Sequence, residues 1–289
     1  MKPAPFAYHA PPTVEAALGL LASDPAAMVL AGGQSLVPLL KLRSARPSAL
    51  VDINGIPGLD GIELADGELR IGALVRQQTL LADARVGAAC PLLIEAVQHV
   101  GYRATRHRGT IGGSLAYAAP WAELAAAVVA LDATIEARSA DGVRSIRARE
   151  FFRGEHETDL APGELVMRVR VPVQAARTGA AFHEVSARYR DYAQVGAAAL
   201  VTLGADGTCT GAELVLLRVA PTPHRAEIDA IVRGTTLDDA TLDAVAASLA
   251  DLRPPGDVEV SGVYRHRVVA VLARRALRQA AERAGEERA

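Results

Sequence analysis

The sequence predicts an α+β protein built in two parts. Three features carry that expectation. Apolar runs of strand length alternate with stretches whose apolar residues recur at helical spacing, so neither period fills the chain. The character changes after Pro172, where long strand-like segments follow one another before helices resume. The chain has 289 residues, and at about 150 residues per domain that gives a prior near two domains.

The elements can be justified in order. Residues 13–23 read as a helix, with Thr13 as N-cap and Val14, Ala17, Leu18 and Leu21 on one face. A short strand at 27–31 stops at Gly32-Gly33, and a second at 49–53 closes on the turn-rich Asn54-Gly55-Ile56-Pro57-Gly58. Residues 62–72 form a hairpin, because Asp66-Gly67 is a strong two-residue turn signal. Helical material starts at 79–83, and 90–100 reads as a longer helix. The stretch 101–109 is basic and irregular. For 123–131 the pattern allows a helix or a buried strand. A second hairpin spans 134–137 and 143–146 around Asp141-Gly142, and 165–171 alternates with period two as a half-buried strand does. Beyond Pro172, strands are expected at 180–185, 193–203 and 209–219, then helices at 225–232 and 237–249 and one long helix at 262–282. The boundary falls near 173–178. That gives a first domain of residues 1–175 and a smaller α+β domain of 176–289, an antiparallel meander with helices on one face.

Composition excludes several classes. Lys and Arg number 31 against 33 Asp and Glu, so the basic excess of a nucleic-acid binder is missing. Aromatics are 4%, too few for base-stacking platforms. Cys90 and Cys209 lie far apart with no CxxC, so a disulfide scaffold, a zinc site and an Fe–S cluster lack support here, and both read as small buried thiols. The start lacks the basic-then-apolar layout of a signal peptide, and the longest apolar run, 124–131, is too short to span a bilayer. A cytoplasmic protein with no transmembrane segment is the expectation.

Motif tests remove more. There is no GxGxxG for a Rossmann site, no Gly-Lys pair for a Walker A loop, no HExxH and no GxSxG. The seven histidines are scattered, and no nucleophile, metal cluster or acid–base pair stands out.

Two diglycine segments do stand out: Ala31-Gly32-Gly33-Gln34-Ser35-Leu36 and Gly109-Thr110-Ile111-Gly112-Gly113-Ser114-Leu115. Adjacent glycines can take positive φ and leave main-chain N–H groups uncovered. Successive N–H groups make a concave nest for a phosphate, and Ser or Thr hydroxyls add donors. Two such turns facing each other would suit a pyrophosphate. Taken singly, each is more simply a tight turn.

These strings resemble a known family. Residues 31–43, AGGQSLVPLLKLR, are similar to the first flavin loop of the FAD-binding medium subunit of the molybdenum hydroxylases, the carbon monoxide dehydrogenase and xanthine dehydrogenase family. Residues 108–116, RGTIGGSLA, resemble its second loop. Arg188-Tyr189-Arg190-Asp191-Tyr192-Ala193 and Ser261-Gly262-Val263-Tyr264-Arg265 resemble the opening of its C-terminal domain and of its last helix. The likeness covers essentially the whole chain.

The resemblance implies a vanillyl-alcohol-oxidase-type (PCMH-type) FAD-binding domain of two subdomains, plus a C-terminal domain of the CO dehydrogenase flavoprotein type. It implies that Val29, Leu30, Ala31, Gly32, Gly33, Gln34, Ser35 and Leu36, with Thr110, Ile111, Gly112, Gly113 and Ser114, wrap the FAD pyrophosphate. Glu123 would bond the ribose or adenine end, and Val100 and Val166 would lie close to the cofactor. Gln34 stands where some members have His. His183 falls where animal xanthine enzymes place a Lys near the flavin, although Glu184 could occupy that place instead. No catalytic residue is implied on this chain. The partners implied are a small subunit with two [2Fe–2S] clusters and a large molybdopterin subunit, in a dimer of heterotrimers. The chain would pass electrons from the clusters through FAD to an external acceptor. The basic run Arg103-Ala104-Thr105-Arg106-His107-Arg108 is either a solvated loop or part of the face toward the Fe–S subunit. A stand-alone FAD oxidoreductase of the same superfamily and a flavin-free scaffold remain the alternatives.

Overall fold

The computed structural model describes residues 1–286; residues 287–289, the end of the expected second domain, lie outside them. The chain opens with β1 (Ala7–His9), α1 (Val14–Ser23), β2 (Met28–Leu30), α2 (Leu36–Leu42) and β3 (Ala49–Asp52). β1 and β2 both pair in parallel with β3; α2 makes the crossover from β2 to its parallel neighbour β3, and α1 carries the chain from one edge strand to the other. Thr13 caps α1 as its position predicts: its Oγ1 accepts from the Ala16 amide at 3.2 Å. Ala17, Leu18 and Leu21 then pack with Val51 and Ile53 in a small core.

β4 (Ile62–Ala65) and β5 (Glu68–Gly72) form the expected hairpin. Asp66 and Gly67 take φ of 53° and 74°, the twist-matching turn their types favour. A helical stretch follows: α3 (Gln77–Ala82), α4 (Ala84–Ala89), α5 (Pro91–His99), α6 (Arg103–Arg106), α7 (Ile111–Tyr117) and α8 (Glu123–Ala130). Then come β6 (Thr134–Ser139), β7 (Gly142–Arg147), α9 (Ala148–Phe151), the short ladder β8 (Phe152–Gly154) with β9 (Glu157–Thr158), and β10 (Leu165–Pro172). These build a five-stranded antiparallel sheet in the order β4-β5-β10-β6-β7. The last part is a meander of β11 (Thr178–Ser186), β12 (Ala193–Leu203), β13 (Cys209–Leu217) and β14 (His224–Arg225), followed by α10 (Asp229–Val232), α11 (Asp239–Ser248) and α12 (Gly262–Gly285).

Several expectations need correction. The stretch 101–109 is not wholly irregular, since α6 lies inside it, and Arg106 is buried at 5% exposure. The expected helix at 225–232 is helical only in α10, because Arg225 belongs to β14 and pairs with Val215. The clean alternation of 165–171 is interrupted by an irregularity in register between Val166 and Arg168. The segment 123–131 resolves as a helix, and its ambiguity has a physical origin. Every residue of α8 is buried, so no amphipathic stripe marks it.

That burial organises the molecule. The largest core runs from the five-stranded sheet through α5 and α8 to Ala180, Phe182, Ala198, Val215 and Leu217 of the meander. The other face of the meander packs on α12 through Ala181, Ala197 and Ala199. Small residues set the spacing. A methyl group on Gly179 would collide with the Ala280 carbonyl and the Ala284 amide of α12. Gly179→Ala is therefore expected to destabilise the protein by about 3 kcal/mol, the upper part of the range for overpacking. Equilibrium denaturation of the variant measures it, and an unchanged midpoint would contradict the packing described.

Candidate cofactor-binding site

The two diglycine segments lie against each other. Val29 and Leu30 end β2, and the chain leaves through residues 31–35 to enter α2 at Leu36. Gly32 sits on the backbone of Arg108 and Gly109 so closely that a Cβ there would strike the Arg108 carbonyl oxygen. Gly33 has a φ of 73°, which only glycine adopts without strain. The amides of Gly33, Gln34 and Ser35 donate to no acceptor among the described residues. The Ser35 hydroxyl caps nothing in α2. Gln34 is exposed, and its Nε2 donates to the Gly32 carbonyl at 3.3 Å.

The second segment is built differently from the nest expected of it. Gly112 and Gly113 belong to α7, not to a turn, and neither has positive φ. Its amides already have partners: Ile111 donates to the Val75 carbonyl at 3.1 Å, Gly112 to the Ala73 carbonyl at 3.0 Å and Ser114 to the Thr110 carbonyl at 3.1 Å. Gly113 donates to Thr110 Oγ1 at 3.0 Å, the N-cap bond of α7. Gly112 serves close packing, because a methyl there would meet Ala73. What this segment offers outward is hydroxyl chemistry. The Ser114 hydroxyl is half-buried with no hydrogen-bond partner among the described residues, and the buried Thr110 hydroxyl, an acceptor in its cap bond, keeps a proton to donate.

Residues that the sequence reading did not single out hold the segments together. Asn54 Nδ2 donates to the Ala31 carbonyl at 2.8 Å, and Asn54 Oδ1 accepts from Arg76 Nη2 at 2.7 Å. Arg76 Nη1 donates to the Arg108 carbonyl at 2.8 Å. Asp52 fixes Asn54 by accepting from its amide at 2.9 Å and its Nδ2 at 2.6 Å, while Tyr8 Oη donates to the other carboxylate oxygen at 2.6 Å. Burial pushes the Asp52 carboxyl up, but the bonds from Tyr8 and Asn54 outweigh it and hold it below its ordinary value.

The remaining expected positions divide. Val166 is buried beside the β10 irregularity, where the Met167 carbonyl accepts from Ala73 at 2.9 Å, and Ala73 in turn meets Gly112. Val100 is half-buried at the end of α5, its carbonyl accepting from Arg106 at 3.0 Å. Glu123 opens α8 buried, and the group facing it is Glu184. At positions 183 and 184 the strand alternates: Phe182 points toward the core shared with α5 and α8, and His183 lies on the opposite side, toward Gln279 of α12. Glu184, two residues on from Phe182, takes the inward side, with its carboxylate 3.4 Å from His99 Nδ1 and a second oxygen buried without a partner among the described residues.

A site with free main-chain donors, two open hydroxyls and no acceptor to fill them fits an anionic dinucleotide. Residues 4–174 match the model of the FAD binding domain in molybdopterin dehydrogenase, and residues 180–280 match that of the CO dehydrogenase flavoprotein C-terminal domain. The chain belongs to this family. It is an FAD-binding medium subunit of the molybdenum hydroxylases, with a PCMH-type domain followed by the flavoprotein C-terminal domain, and it is an oxidoreductase component. Over 98% of its length it is 42% identical to the 6-hydroxypseudooxynicotine dehydrogenase complex subunit alpha of Paenarthrobacter nicotinovorans, covering 97% of that protein. It is 35% identical to the carbon monoxide dehydrogenase medium chain of Afipia carboxidovorans, covering 98% of this chain and 99% of that one. Quinoline 2-oxidoreductase from Pseudomonas putida superposes with a TM-score of 0.94 at 35% identity, over 99% of this chain and 100% of the other. Relatives named as medium chains and complex subunits place partners around a subunit of this kind. Among the described residues no helix is long and apolar enough to cross a membrane.

The buried acid gives a pH prediction. Burial, and then the charge of Glu184, push the Glu123 carboxyl from its ordinary 4.5 up to about 8. The folded protein therefore holds a proton that the unfolded chain has released. Stability from this group is present at low pH and falls as pH rises between about 5 and 8. Glu123→Gln should flatten that part of the profile, as read from melting midpoints across the range. An unchanged slope would remove Glu123 as its source.

Proposed function

We propose that this chain is the electron-collecting subunit of a cytoplasmic molybdenum hydroxylase. It takes electrons from the [2Fe–2S] clusters of a small partner subunit, which are supplied in turn from a molybdopterin cofactor on a large subunit. FAD, when bound, accepts one or two electrons and so turns single transfers into a pair for an external acceptor. The assembly we infer is a dimer of heterotrimers. The FAD-binding domain is assigned to residues 1–175 and the C-terminal domain to 176–289, limits within which both matched stretches lie.

One observation carries this reading: the row of unmatched amides at Gly33, Gln34 and Ser35, pressed against the second segment at Gly32. Those amides would hold one phosphate of the FAD diphosphate. The hydroxyls of Ser35 and Ser114, and the Thr110 proton, would serve the other. Val29, Leu30, Ala31 and Leu36 frame the first loop, Ile111, Gly112 and Gly113 form the wall of the second, and Val166 adds apolar surface beside it. The relatives support the partners: one is named a nicotine 6-hydroxylase medium subunit, and a carbon monoxide dehydrogenase from Hydrogenophaga pseudoflava is described as lacking the Mo-pyranopterin moiety of its molybdenum cofactor, a cofactor of the enzyme of that name.

Two measurements test the reading. The purified chain, reconstituted with FAD, should show flavin absorption at one FAD per chain, and Gly32→Ala should weaken binding by at least about tenfold, because its methyl forces the loops apart. A chain purified from its native cell should bring molybdenum and iron with it. A colourless reconstituted chain, or one free of both metals, would refute the proposal.

A further inference from the structure

We propose that Arg76 and Asn54 are positioning residues for the flavin site, acting as a two-sided clamp that sets the distance between its two loops. The inference rests on the reading that residues 33–35 receive the diphosphate. Neither residue touches the free amides. Each works through a carbonyl on the far side of a loop: Asn54 through Ala31 O at 2.8 Å, and Arg76 through Arg108 O at 2.8 Å. The bond from Arg76 Nη2 to Asn54 Oδ1, 2.7 Å, joins the two halves into one unit.

The chemistry of the donors explains why these residue types are needed. Asn54 must donate to one carbonyl and accept from a guanidinium at once, which an amide does and a carboxylate does not. Arg76 must reach two acceptors at a fixed angle, which its planar fork does and an ammonium does not. Its fork goes to two neutral oxygens and not to a carboxylate. Asp52, gripped by Tyr8 from β1, holds Asn54 from below, so the clamp is anchored in the parallel sheet. Gly32 completes the device from the other side: with no side chain between the segments, the clamp draws them into backbone contact.

A role in positioning differs measurably from a role in charge. FAD dissociation constants, read by quenching of flavin fluorescence, should rise about tenfold in Arg76→Lys, which keeps the charge but loses the fork, and by a similar factor in neutral Asn54→Ala. Asn54→Asp, which still accepts from Arg76 but cannot donate to Ala31, should weaken binding at least as much. Because the two residues act as one unit, the Arg76→Lys/Asn54→Ala double variant should bind no worse than either single variant. The melting midpoint of the flavin-free chain should change little in all of them, whereas a merely structural role would move it together with affinity. Wild-type affinity in Arg76→Lys, or losses that multiply in the double variant, overturn the clamp alone. Failure of the unaltered chain to bind FAD overturns the functional reading and the clamp with it.

Discussion

The contact between Gly32 and the Arg108 carbonyl is the constraint on which the rest of the site depends. Two loops 76 positions apart, counting from Gly32 to Arg108, meet backbone to backbone there. One belongs to the parallel sheet and the other to the helical stretch between the hairpin and the rest of the antiparallel sheet. No side chain larger than hydrogen fits the junction. The glycine thus settles how two separately built layers approach each other. The free amides at 33–35 are a consequence, because a loop held from behind by its carbonyls has its N–H groups left over on the open side.

The two glycine pairs look alike in sequence and do different work in the fold. Gly33 supplies a conformation, Gly32 and Gly112 supply closeness, and Gly113 donates into an N-cap. The pattern of residue types made a phosphate nest plausible twice. The neighbours of the second pair decided otherwise, since Ala73 and Val75 supply carbonyls that no local pattern could announce. The same limit hid Asn54 and Arg76. Asn54 sits in a string of turn residues and reads as punctuation, and its partners come from positions 31 and 76.

Where local signals were strong, the fold was legible. The Thr13 cap, the Asp66-Gly67 turn and the long amphipathic α12 each follow from side-chain and backbone preferences that act within a few residues. Reading α8 correctly required knowing that it is covered on all sides, which is a property of the assembled layers. The side of β11 that faces inward needed its register. A slip of one residue exchanges His183 for Glu184, and the sequence had left both open. The family assignment was legible from the loop strings, because they are long enough to be specific even where the role of each residue is not.

The shared core has a bearing on biosynthesis. Residues as late as Val215 and Leu217 close over α5 and α8, so the flavin domain emerges from the ribosome with its central helix still bare. Until the meander has been translated, that alanine-rich rod lacks the cover that Ala198, Val215 and Leu217 give one of its flanks. Maturation of the nucleotide pocket is thereby tied to completion of the polypeptide, and a prematurely terminated chain would present chaperones with an apolar surface in place of a half-finished flavoprotein.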